Sequence, residues 1–202
     1  MKFNWSLNLK NRICGFNIEL FNVKKGQTIV KGTGNRCYDN KFVFYNDYDH
    51  TELDFVEAEI KHLQEVGIII PGQNAPLKLG TTHIFKSSES KEGYHVVGFE
   101  KYTALEFVQF LLNSSGDRSF LDVPRYTTLK NFVLRAFEKG DTPKPVYVKT
   151  LVAESDKEQS SPHWKFFSIS YPEINNYPLT KPDNKNEIYM IKYLTANNVG
   201  KV

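Results

Sequence analysis

Apolar positions along the chain change period several times, and each change marks an element. Residues 42–48 (Phe-Val-Phe-Tyr-Asn-Asp-Tyr) form a short run dense in aromatic side chains, the pattern of a strand. After Asp49 the period becomes helical: Thr51 serves as an N-cap with Asp54 three residues on, and Leu53, Val56, Ile60 and Leu63 follow at helical spacing. Gly67 lies just past the end, and the apolar stretch 66–70 is stopped by Pro71 and Gly72. Residues 81–85 and 94–99 read as two further strands, joined by a polar hairpin turn over 86–91. A second helix starts at Thr103, where Glu106 completes a capping box. Leu105, Val108, Leu111 and Leu112 form its expected buried stripe, and residues 113–117 end it. Residues 132–137 read as a strand.

The ends of the chain are less regular. The first forty residues read as short strands and loops, with partial alternation over 16–21 and a turn at 32–35. Residues 150–187, punctuated by Pro162, Pro172, Pro178 and Pro182, read as irregular, and 188–194 as a late strand or short helix. The order strand–helix–strand–strand–helix–strand predicts an α+β protein whose helices lie on one face of a sheet.

Composition narrows the classes. The 202 residues fit one domain, or two small modules sharing one core, with no internal repeat or low-complexity tract. No apolar run approaches the roughly 20 residues of a membrane helix, and Met1-Lys2-Phe3-Asn4-Trp5 leads into no apolar signal segment, so a cytoplasmic location is expected, that of the host if the source is a virus or phage. Cys14 and Cys37 are too few for a disulfide framework or a zinc knuckle and read as buried thiols in a reducing compartment. The net charge of +3 is weak, but it is unevenly placed. Residues 1–36 carry seven Lys or Arg against Glu19 alone, residues 46–66 seven acids against Lys61 alone, and residues 122–149 six bases against three acids. An acidic block between basic ones suits a metal site flanked by phosphate contacts, though it equally describes three solvated surfaces.

The aromatic strand ends in Asp47-Tyr48-Asp49. Positions i and i+2 of a strand share a face, so the two carboxylates project side by side. Crowded carboxylates raise each other's pKa unless a cation intervenes, and hard ions such as Mg²⁺ take oxygen ligands. Isolated, acid-x-acid is also common in turns and at helix starts. Lys91-Glu92-Gly93-Tyr94-His95 heads the next apolar run, where Gly93 lets a ligand approach and Lys91 and His95 suit a phosphate; otherwise His95 is a core histidine and Lys91 a turn lysine. His83 is the rival histidine. Asp122, after Phe120-Leu121 and before Arg125, Lys130, Arg135 and Lys139, is the candidate third acid; Asp117, in Ser-Gly-Asp, is the alternative but reads as a helix-ending turn. Tyr45, Tyr48 and Tyr94 are either stacking surfaces or core.

In this order the residues resemble the archaeo-eukaryotic primase superfamily, the primase-polymerases. Its acid-x-acid strand is matched by Asp47-Tyr48-Asp49, its small-x-His motif by Gly93-Tyr94-His95 with Lys91 before it, and its apolar-acid motif by Leu121-Asp122. Residues 126–132 with Arg135 and Lys139 look like its basic strand, and residues 82–88 are similar to viral members. Gly93 stands where many members have Ser. The likeness spans about residues 40–140 within a single catalytic domain of 1–202. It implies an RRM-like antiparallel sheet module packed with an N-terminal α/β module. It implies Asp47, Asp49 and Asp122 as catalytic ligands of Mg²⁺ or Mn²⁺, and Ser88, Lys91, Gly93, His95, Lys130, Arg135 and Lys139 as nucleotide-binding residues. The implied activity is template-directed nucleotidyl transfer from nucleoside triphosphates on a single-stranded or primed template, with a replicative helicase as a further partner. The alternatives are a non-catalytic single-strand-binding or replication-initiation module of the same fold, and a metal-dependent nuclease.

Overall fold

The computed structural model describes residues 2–9, 12–19, 27–37, 39–87, 92–122, 132–138, 142–183 and 192–197; for 2–32, Asp122, Val133 and 192–197 it describes the backbone alone. In chain order the strands are β1 (Lys2–Leu9), β2 (Arg12–Glu19), β3 (Gln27–Gly34), β4 (Phe42–Asp49), β5 (Thr82–Lys86), β6 (Gly93–Tyr102), β7 (Val133–Arg135), β8 (Val146–Leu151) and β9 (Lys192–Asn197). The α-helices are α1 (Leu53–Glu65), α2 (Ala104–Leu112) and α3 (Ser161–Ser170). Short 3₁₀ turns cover Arg118–Asp122 and Pro172–Asn176. The fold is α+β, and every strand pair in it is antiparallel.

The aromatic run becomes β4 because it is buried on both faces, not one. Phe44 and Tyr48 join Val56, Ile60 and Leu63 of α1 and Phe107, Phe110 and Leu111 of α2. Val43 and Tyr45 point the other way, into a cluster with Phe85, Val97, Phe99, Leu134 and Phe167 of α3. A strand covered on both faces has no solvent side to mark with polar residues, which explains its unbroken apolar pattern. All ten residues of β6, its neighbour, are buried. The central sheet runs β4-β6-β5-β8; β1 and β2 form a hairpin, and β7-β3-β9 a three-stranded sheet.

Several expectations change. Helices lie on both faces of the central sheet, because α3 forms within the stretch expected to be irregular. Pro162 occupies the first turn of α3, where a missing N–H costs nothing. Residues 32–34 are the end of β3 rather than a turn. The strand near 132–137 pairs with β3, outside the central sheet. The late segment is a strand, β9. On α2 the buried positions are Phe107, Phe110 and Leu111, while Leu105 and Leu112 are 57% and 51% exposed. Phe107 stacks on Phe42 at 5.8 Å and Phe110 meets Tyr102 edge-on at 5.0 Å, so the aromatic stripe outcompetes the aliphatic one. Its capping box forms as expected: Glu106 N–H donates to Thr103 Oγ1 at 3.2 Å and Thr103 N–H to Glu106 Oε2 at 2.7 Å. At α1 the N-cap is Glu52, and the Thr51 hydroxyl turns back to the Asp49 carbonyl at 3.1 Å.

Candidate active site

β4 carries Asp47 and Asp49 to one end of the sheet, and β6 brings Gly93 and His95 to meet them. In the antiparallel register Asp47 lies opposite His95, and Asp49 opposite Gly93. Tyr45 and Val97, two positions inward on each strand, belong to the cluster under α3, so the acids and the histidine share that face. His50, next after Asp49, has φ +56°, the left-handed turn by which the chain leaves the sheet. Its N–H donates to the Glu92 carbonyl at 2.7 Å and fixes the mouth of the site.

His95 Nε2 stands 3.5 Å from Asp47 Oδ1, beyond hydrogen-bond length. The histidine side chain is 7% exposed and the aspartate 25%, but Asp47 Oδ1 itself is enclosed and has no hydrogen-bond partner among the described residues. Burial first, then the charges of Asp49 and Asp117, push the Asp47 carboxyl up to about 8, against the pull of the Arg135 guanidinium. Burial, aided by Arg135, pushes His95 down to about 3. These surroundings leave both groups neutral near pH 7, so their contact is not an ion pair. An enclosed carboxylate oxygen without a donor, beside further acids, is a position that a hard divalent cation would satisfy. Asp47 and Asp49 are oxygen ligands of the type that Mg²⁺ or Mn²⁺ takes. Among the described residues no ready-made group of three His, Cys, Asp or Glu ligands is present.

The expected third acid, Asp122, closes a 3₁₀ turn instead of ending a strand, and its side chain lies outside the described residues. Asp117 is the acid that the fold brings to Asp47: its N–H donates to the Asp47 carbonyl at 2.6 Å. The sequence marked it as a helix-ending turn, but α2 closes earlier, at Asn113, and Asp117 directly precedes the 3₁₀ turn Arg118–Asp122.

Arg135 reaches the site from β7. Its Nη1 donates to the carbonyls of Pro143 at 2.7 Å and Phe137 at 3.1 Å, and its Nη2 to the carbonyl of Ser87. It is therefore a clamp joining β7 to the end of β5, as well as a positive charge near Asp47. Ser87 is a site residue that sequence reasoning passed over. A Cβ on Gly93 would lie 2.7 Å from Ser87 Oγ and 3.4 Å from Asp49 Oδ1. The serine hydroxyl thus fills the space that a side chain at position 93 would take. Ser88, Lys91, Lys130 and Lys139 lie outside the described residues.

Comparison with protein-family models, curated proteins and solved structures finds no match to this chain. The assignment of roles therefore stands on geometry. Tyr45 and Tyr48 are fully buried and Tyr94 is 7% exposed, so all three are core residues rather than stacking surfaces. Tyr48 donates its hydroxyl to Glu59 at 2.6 Å. His83 is buried against Phe99 and bonded to Thr150 at 2.8 Å; burial pushes it down to about 3, a core histidine. A cleft of about 1230 Å³ opens elsewhere, near Glu100, Gln159 and Tyr177. The Glu100 carboxyl there, pushed up to about 7 mainly by burial, is bonded by the Tyr102 hydroxyl at 3.1 Å. None of the acids on the β4 face lines that cleft. The paired carboxylates Asp47 and Asp49 lie at the β4–β6 end of the sheet, apart from that cleft.

Proposed function

We propose that this chain is a metal-dependent, template-directed nucleotidyl transferase, a primase-polymerase acting on nucleoside triphosphates and a single-stranded template. The observation that carries the reading is the register of β4 on β6, in which Asp47 faces His95 and Asp49 faces Gly93. Two short motifs far apart in sequence become one face. The succession β4-α1-β5-β6-α2-β8, with β6 inserted between β4 and β5, is in keeping with an RRM-like module, although β8 pairs with β5 here and not with β4 as in that fold.

Asp47 and Asp49 would hold Mg²⁺ or Mn²⁺, with a third acid. Such an ion, when bound, activates an attacking hydroxyl and offsets charge on phosphoryl oxygens. The chain supplies the rest. Asp47 would hold the cation as an ionised carboxylate, its proton having gone to solvent. His95, neutral and buried, packs against Asp47 Oδ1 and restricts where that carboxylate points. Ser87 Oγ and the positive charge of Arg135 border the acids and suit the oxygens of a triphosphate. Lys91 and Lys130 join them by resemblance.

The test is primer extension and de novo priming with Mg²⁺ and with Mn²⁺, for the wild type and for Asp47→Ala and Asp49→Ala. Incorporation by the wild type and its loss in both variants, with melting temperatures maintained, is the expected result. Tight single-strand binding that needs no metal, without incorporation, would identify a non-catalytic module. Strand cleavage without nucleoside triphosphates would identify a nuclease.

A further inference from the structure

The end of the central sheet away from Asp47 and Asp49 holds the cleft of about 1230 Å³. Glu100, on its lining, lies seven residues along β6 from Gly93, about 23 Å at the rise of a strand. Three connections enclose the cleft: residues 73–78 after α1, 152–157 after β8 and 176–181 after α3. Its wall is aromatic. The His83 ring packs 5.0 Å from Phe99 and stands edge-on to Tyr177 at 6.0 Å.

Glu100 is 1% exposed, and the fold makes room for its carboxyl. A Cβ on residue 80 would sit 1.6 Å from Oε2 and 1.9 Å from Oε1, so glycine is required there. Oε2 accepts the Tyr102 hydroxyl at 3.1 Å, and that hydroxyl accepts the Gly80 N–H at 3.1 Å. Oε1 is served less well. Gln159 Nε2 stands 3.5 Å away, at the limit of a hydrogen bond, because Gln159 Oε1 is held by the N–H groups of Thr180 at 2.7 Å and Lys181 at 3.0 Å. Among the described residues no ammonium or guanidinium pairs with Glu100. Lys157 is taken by Glu106 at 2.9 Å, and Lys101 by Asp39, Glu158 and Asp183.

A carboxyl this deep is costly to ionise without a cation. The cleft that ends on it gives a cation a way in, and mostly apolar clefts with a few convergent polar groups are the usual form of a small-molecule site. We propose that the cleft binds a small organic cation with an aromatic body, an arylamidine or arylalkylamine, whose charged head pairs with Glu100 and whose ring lies on the wall of His83, Phe99 and Tyr177. Such a wall buries the ligand's ring and favours a positive charge near its own ring faces. Nothing in this site depends on the metal-dependent reading above.

The probe is benzamidine, which stays protonated between pH 6 and pH 8, with benzamide as its neutral isostere. The full chain is titrated with each and followed by its amide chemical shifts. Benzamidine should shift amides of the three cleft segments and bind at least about tenfold tighter than benzamide. The Glu100 carboxyl, pushed up to about 7 mainly by burial, is about one-tenth ionised at pH 6 and about nine-tenths at pH 8, so benzamidine affinity should rise about tenfold between them. Burial keeps His83, at about 3, neutral over that range and the Tyr102 phenol protonated. The other charges on the lining, Lys78, Lys181, Glu154, Asp156 and the Glu106–Lys157 pair, are common to wild type and variants. Glu100→Gln should therefore abolish the rise and weaken binding at pH 8 at least about tenfold. Tyr177→Ala should weaken binding equally at both pH values and keep the rise. Equal affinity for benzamide, wild-type affinity in Glu100→Gln, shifts confined to other parts of the chain, or no binding at all would overturn the proposal. If Glu100→Gln does not fold, affinities of wild type and Tyr177→Ala that stay flat from pH 6 to pH 8 overturn it instead.

Discussion

Asp47 concentrates the physics of the site in one side chain. Its carboxyl titrates in the folded protein at about 8, against an ordinary value of 3.8, because it is buried and flanked by Asp49 and Asp117. Between those two pH values the folded state binds more protons here than the unfolded state, so stability falls as pH rises through this window. Asp47→Asn removes that dependence. The difference in melting temperature, variant minus wild type, should therefore widen from pH 5 to pH 8 in metal-free buffer; a constant difference would show that Asp47 titrates normally. His95, pushed the other way, loses stability as pH falls below its ordinary 6.5, so the variant-minus-wild-type comparison is cleaner than either curve alone. A second residue, Gly93, yields a local prediction. Gly93→Ala crowds Ser87 Oγ, the movable end of a small side chain, so the fold should survive while nucleoside triphosphate affinity falls. Ser87→Ala with Gly93→Ala removes the clash, and comparing nucleotide titrations of the single and double variants separates crowding from loss of the hydroxyl. Asp47, Asp49 and His95 were visible in the sequence because their chemistry is local. Asp117 was visible only as the alternative acid and Ser87 not as a site residue, since each owes its place to a contact across the fold.

Elements were legible where one local rule decided them. The α1 stripe of Val56, Ile60 and Leu63 is buried as its spacing requires. The capping box at Thr103 is complete, and Thr103→Ala should cost about 1 kcal/mol in urea denaturation; an unchanged midpoint would mean that packing alone holds the first turn of α2. Elements were misjudged where two rules competed. In α2 both the expected Leu105-Val108-Leu111-Leu112 and Phe107-Phe110-Leu111 satisfy helical spacing; Leu111 is buried as expected, and ring contacts with Phe42 and Tyr102 decide for the second set. In residues 161–170, Pro162 suggested irregular chain, yet a proline in a first turn starts a helix as readily as proline elsewhere breaks one. The pairing of the three-residue β7 with β3 has no local signal at all; it depends on Arg135 reaching the Ser87 carbonyl and on Leu134 entering the core beneath α3.

At the scale of the molecule, segments distant in sequence converge on Lys101 of β6. Its ammonium lies 2.7 Å from Asp39, 2.7 Å from Glu158 and 3.2 Å from Asp183, with the lysine side chain 3% exposed. Burial opposes this charge, but the hydrogen bonds that the ammonium donates to the three carboxylates overrule it and raise the lysine pKa. The hub ties the β3–β4 connection, the approach to α3 and the segment around Asp183 to the middle of the sheet. Behind it Cys37 is buried, its thiol pushed up to about 12 chiefly by desolvation, which makes it an inert structural thiol. Lys101→Met keeps the apolar stem and strands the acids, Asp183 above all, as it is only 6% exposed. Breaking a buried pair in this way costs about 3–5 kcal/mol. The pH dependence distinguishes charge from packing. Asp39, bonded by Lys101, is held below its ordinary 3.8, so its contribution is present at neutral pH and is lost only as pH falls through that lowered value. Urea denaturation of wild type and Lys101→Met should therefore differ most near pH 7 and converge only well below pH 4. Equal destabilisation at both pH values would assign the role of Lys101 to its methylene packing, and the convergence of these segments would then need another cause.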